Sequence, residues 1–221
     1  MSIERMSDAT LRQSILDELE FDPAVNATNI GVAVENGVVS LTGHVGSYAE
    51  KITAEHIAQR VKEVRGIAQE IEVRYPSDKK DKDDEVAQRA AKIIDWDSTV
   101  PPGRVKVKVE KGWVTLTGDV EWQFQRMAAE AAVRKLSGVI GVTNLITVRP
   151  PHVDAINVKQ RIEDALKRNA ELEAGGIRVA VTGGTVTLEG KVRAWHERGV
   201  AEQAAWAAPG VVSVEDHLIL G

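Results

Sequence analysis

At 221 residues, with 43% hydrophobic and 28% charged side chains, the chain has the make-up of a folded protein of one large or several small domains. Its net charge of −5 argues against nucleic-acid binding over the whole surface, and no apolar run approaches the roughly 18 residues of a membrane-spanning helix. The absence of cysteine excludes thiol nucleophiles, disulfides and Cys-ligated zinc together. The opening stretch MSIERMSDATLRQ has no apolar leader core, so the sequence as it stands reads as cytoplasmic, or as periplasmic if a leader has been removed.

In chain order, Ser7 or Asp8 caps a helix whose apolar positions Leu11, Ile15, Leu16 and Leu19 follow helical spacing. Ile30, Val32 and Val34 then alternate, as do Val39 and Leu41, with Asn36-Gly37 between them as a two-residue hairpin turn. That turn pairs Val34 with Val39, Val32 with Leu41 and Ile30 with Gly43. A second helix opens at Ser47 and Glu50 as a capping box, with Ile52, Ile57, Ala58 and Val61 as its apolar stripe. A last strand ends at Val73.

The same order recurs twice. VENGVVSLTGHV from Val34, VEKGWVTLTGDV from Val109 and VTGGTVTLEGKV from Val181 align without a gap, about 75 and 72 residues apart. The register extends upstream through Leu19/Ile94/Leu166 and downstream through Ile71/Ile146/Leu218. The turn is Lys111-Gly112 in the second copy and Gly183-Gly184 in the third. Met127, Ala132, Val133 and Leu136, then Ala204, Ala205 and Ala208, continue the second-helix stripe. Each copy predicts an αββαβ unit: a three-stranded mixed sheet, the third strand parallel to the second, covered on one face by two helices. The fold class is α+β in three tandem domains, 7–76, 83–150 and 151–221. A charged linker at 77–82 separates the first two, and Pro150-Pro151 stiffens the second joint.

The G-x-x-x-L-x-G core (Gly37-Leu41-Gly43, Gly112-Leu116-Gly118, Gly184-Leu188-Gly190) and the later segments Val64-Arg65-Gly66-Ile67 and Val139-Ile140-Gly141-Val142 resemble the BON domain family. The third copy departs from it at Ser213. The resemblance implies a non-enzymatic protein linked to osmotic stress, whose partners are phospholipid surfaces or client proteins, or in one branch potassium.

Several residues are candidates for function. The six core glycines Gly37, Gly43, Gly112, Gly118, Gly184 and Gly190 lack phosphate-loop spacing, so they are read as fold-defining, Gly43 by letting a helix approach closely. Glu55, Glu130 and Glu202 recur singly on the second helix, which suits a copied structural role and not the paired carboxylates of acid–base hydrolysis. The five histidines occupy unmatched repeat positions and show no ligand spacing. No cofactor is expected; a monovalent or divalent cation held by backbone carbonyls stays open, since it leaves no side-chain pattern.

Arg104, Lys106, Lys108 and Trp113 of the second copy share the sheet face away from the helices, a basic strip suited to an anionic surface. Trp206 aligns with Gln59 and Arg134, so its ring is expected to meet another domain or a partner. Trp96 aligns with Phe21 and is expected in the core.

Overall fold

The computed structural model describes residues 6–75, 82–150, 158–169 and 176–221. Most of the 77–82 linker and the Pro151 end of the second joint lie outside these residues.

The first domain comprises α1 (Asp8–Phe21), a 3₁₀ turn (Ala27–Asn29), β1 (Ile30–Glu35), β2 (Val38–Val45), α2 (Tyr48–Arg60) and β3 (Gly66–Val73). The second holds α3 (Asp83–Trp96), β4 (Val105–Glu110), β5 (Trp113–Val120), α4 (Gln123–Val133) and β6 (Gly141–Val148). The third holds α5 (Val158–Arg168), β7 (Ile177–Thr182), β8 (Thr185–Val192), α6 (Trp195–Trp206) and β9 (Ser213–Leu220). Each sheet has its middle strand antiparallel to the first and parallel to the third. Ile30 pairs with Gly43, Val32 with Leu41 and Val34 with Val39, as the two-residue turn demands. Both turn residues have positive φ in all three hairpins: Asn36 (53°) and Gly37 (78°), Lys111 (50°) and Gly112 (78°), Gly183 (56°) and Gly184 (87°).

Each domain has its own core. In the first, Leu11, Ile15 and Leu19 of α1 meet Val39 and Leu41 of the sheet and Ile57 of α2. An acid at the first helix's N-terminus ties helix to hairpin. Asp8 accepts from the turn amides of Asn36 (2.8 Å) and Gly37 (3.1 Å), and Asp83 accepts from Lys111 (2.6 Å) and Gly112 (2.9 Å). Ser7 caps α1, accepting from Thr10 N–H at 3.2 Å. The Glu50 carboxylate does not close a reciprocal box but accepts from Gly46 (3.0 Å) and Asn26 (2.8 Å).

Three expectations are corrected. Trp96 is 89% exposed and Phe21 85% exposed. The buried stripe of α3 is Val86, Ala90 and Ile94, and Trp96 lies two residues, about 200°, beyond it. Phe21 stands two residues past Leu19 in the same way. Met127 is also exposed, two residues before the buried Ala129. Finally, Gly43 and Gly118 admit the backbone that leads into the domain's first strand, not a packed α-helix: a methyl group there would sit on the carbonyl oxygen of Asn29 or Arg104.

Candidate interface on the second domain

The alternation of β4 sends Val105, Val107 and Val109 toward the helices and leaves Arg104, Lys106, Lys108 and Glu110 exposed. Two of the three cations are paired within the sheet. Arg104 meets Asp119 directly opposite at 3.0 Å, and Lys108 meets Glu110 at 2.9 Å. Lys106 alone has no acidic partner among the described residues. Trp113 is half-exposed yet committed to its own sheet: its ring lies over Gly141, and its indole N–H donates to Thr143 Oγ1 at 2.8 Å. The strip therefore has a net charge of about one, with its aromatic ring laid flat.

A second polar feature recurs in all three domains along the outer edge of the third strand. In the first, Gln69 Oε1 accepts from the Ile71 amide (3.1 Å), Lys51 Nζ donates to the Ile71 carbonyl (2.6 Å), and Glu55 receives the Gln69 amide (3.3 Å). In the second, Asn144 Oδ1 accepts from Ile146 (3.2 Å), Arg126 donates to the Asn144 carbonyl (3.2 Å), and Asn144 Nδ2 donates to Glu130 (3.0 Å). In the third, Asp216 Oδ1 accepts from Leu218 (2.8 Å) and Asp216 Oδ2 from Arg198 (2.7 Å). There the amide has become an acid, and the Glu202–Asp216 hydrogen bond needs a proton on one of the two carboxyls. Burial first, and the Asp216 carboxylate second, push the Glu202 carboxyl above its usual range, with Arg198 opposing. Read as columns of the repeat, Lys51/Arg126/Arg198, Glu55/Glu130/Glu202 and Gln69/Asn144/Asp216 carry this pattern in the sequence.

The second helices also join the domains. Trp206 packs on the cores of both the second and third domains, and α6 lies against α2. Tyr48 packs on the second domain's core with a backbone hydrogen bond to Val142, and burial raises its hydroxyl pKa. Tyr75 donates to the Val139 carbonyl at 2.5 Å. Both tyrosines of the chain thus bind the first domain to the start of β6.

The decisive likeness is at the level of the repeat. The sequence pattern described as "BON domain" matches residues 7–75, 82–150 and 155–221. The chain belongs to the BON domain family. Over 148 residues it is 28% identical to osmotically-inducible protein Y of Escherichia coli, covering 63% of this chain and 71% of that protein. Two solved structures also align with these BON domains. One is CdsD, a structural protein of the type III secretion system of Chlamydia trachomatis, with 14% identity, 95% and 91% coverage and a TM-score of 0.27. The other is the C-terminal domain of CdsD, with 13% identity, 98% and 100% coverage and a TM-score of 0.25. Overlays at these scores bear on neither the domain arrangement nor the function.

No three metal-ligating side chains converge among the described residues, and no described helix is long and apolar enough to cross a membrane.

Proposed function

We propose that this chain is a non-catalytic, stress-related binding protein whose partners are client polypeptides, in preference to a phospholipid surface. The observation that carries the choice is the charge pairing on the second domain's sheet face. Three cations at about 1 kcal/mol each would support weak adhesion to an anionic membrane, but one uncompensated lysine supplies only about 1 kcal/mol. Trp113, held against Gly141 and Thr143, is not extended as an interfacial anchor. The stress-related part rests on the family and on the likeness to an osmotically inducible protein.

Two measurements test this. The chain should slow the aggregation of a chemically unfolded test protein on dilution from denaturant, and it should not co-sediment with phosphatidylglycerol vesicles at low salt. Vesicle association abolished by Lys106→Glu/Lys108→Glu would instead favour the phospholipid surface. Failure to slow aggregation would remove the client reading.

A further inference from the structure

A three-stranded sheet has two outer edges, each a row of backbone groups open to pairing. On each third-strand edge the side chains described above engage one or two backbone groups. In the first domain the opposite edge is engaged too, because Arg12 Nε of α1 donates to the Val32 carbonyl at 2.8 Å. The equivalent residue in the second domain is Ala87, whose methyl group cannot donate to the Val107 carbonyl. The β4 register sets what that edge offers. Glu110, Lys108 and Lys106 bond to β5, so the N–H and C=O groups of Val105, Val107 and Val109 point away from the sheet. These valines are only half-buried, whereas Ile30 and Val32 of β1 are each 7% exposed.

We propose that β4 is the client-binding element and takes an extended polypeptide segment, with acidic and apolar residues alternating, as a fourth strand of the second domain's sheet. The proposal rests on the client reading above and names its site. Residues facing Val105, Val107 and Val109 would extend the apolar face. The residue facing Lys106 would be a carboxylate, and one facing Lys108 would share that lysine with Glu110, since opposite charges directly across a sheet attract and like charges repel. The same rule disfavours a second copy as occupant: every antiparallel register of β4 on itself that overlaps two or more of the three valines sets a lysine against a lysine. The β7 edge is a poorer match, because its open-face residues after Arg178 are Ala180 and Thr182, and Arg178 faces Glu189 at 3.6 Å.

The test uses the full chain and a soluble peptide of alternating valine and glutamate, with its valine–lysine counterpart as control. Calorimetry measures affinity, and amide hydrogen exchange locates the bound strand. The glutamate peptide should bind at least tenfold more tightly than the lysine peptide and protect the amides of Val105, Val107 and Val109. Ala87→Arg installs the guanidinium that covers β1 and should weaken binding at least tenfold while leaving the fold unchanged. Val107→Pro removes one amide from the edge and should do the same. Lys106→Glu/Lys108→Glu should reverse the peptide preference. Unaltered affinity in folded Ala87→Arg and Val107→Pro, protection mapped elsewhere, no binding of either peptide, or a dimer formed through β4 would overturn the proposal. Aggregation suppression persisting alongside any of these results would leave the client reading standing and remove only this site.

Discussion

Replacing Asp216 with asparagine should stabilise the third domain at neutral and alkaline pH. In the second domain Asn144 bridges its strand amide and Glu130, and Arg126 turns to the backbone. In the third domain an ionised Asp216 cannot donate, so the Glu202–Asp216 hydrogen bond lasts only while one of the two carboxyls holds a proton. Its folded-state pKa lies above its unfolded value. The folded domain therefore holds a proton that the unfolded chain has lost, and stability falls as pH rises from the ordinary carboxylate range through the raised value. Asp216→Asn restores a donor to a charged carboxylate, about 1.5–3 kcal/mol, and keeps the acceptor for the Leu218 amide. It loses the Arg198 pair, whose side chains are 31% and 10% exposed, at a cost of about 1 kcal/mol. The balance is a gain of about 1 kcal/mol once Glu202 is ionised; it falls away as pH drops through the raised Glu202 value, where the donor gain disappears and the loss of the Arg198 pair remains. Hydrogen exchange of the β8 and β9 amides in the full chain reads the opening free energy of this domain directly. The reasoning is refuted if Asp216→Asn lowers protection at pH 8, or if the difference from the parent is the same at pH 5 and pH 8.

Four further outcomes are expected. Tyr48→Phe and Tyr75→Phe should each weaken docking of the first domain on the second by about 1 kcal/mol, seen as faster exchange at the start of β6 with the β2 core unaffected. Gly118→Ala should cost more than about 3 kcal/mol, because its φ of 133° and the Arg104 carbonyl both oppose a side chain. Gly103→Ala, with φ of 73° but nothing within 4 Å of the added carbon, should cost only about 1–2 kcal/mol by denaturant titration. Trp206→Ala should cost about 2–4 kcal/mol and uncouple the second and third domains, splitting one calorimetric transition into two.

The fold was legible because three copies of one pattern repeat each signal. Alternation at Val32 and Val34, the Asn36-Gly37 turn and the spacing of Leu11, Ile15 and Leu19 all point to one topology, and the register of β1 on β2 follows from the turn alone. The second domain's sheet face was legible to the residue, since alternation places Arg104, Lys106 and Lys108 together. The acidic partners that neutralise it were legible only in part. Asp119 follows from the register and Glu110 shares the face of Lys108 by alternation, but which cation each acid pairs with depends on side-chain rotamers. Trp96 was misplaced because aligning it with Phe21 says the two share an environment, not which environment. Helical phase from Ile94 decides that. The tyrosine contacts depend on the packing of whole domains, which hairpin and helix periodicities do not reach.

The side chains that engage the third-strand edges have a consequence for a protein related to one induced by osmotic stress. Surface charge keeps chains apart only over the Debye length, which falls from about 8 Å at 0.15 M salt to about 3 Å at 1 M. A net charge of −5 gives little colloidal protection in concentrated electrolyte. The bonds from Lys51 to Ile71, from Ile71 to Gln69 and from Ile146 to Asn144 act at contact distance, within a single domain. They occupy backbone groups of the first two domains' third-strand edges, and so hinder pairing there at any ionic strength that leaves the domains folded. On those edges the protection is one that salt does not screen.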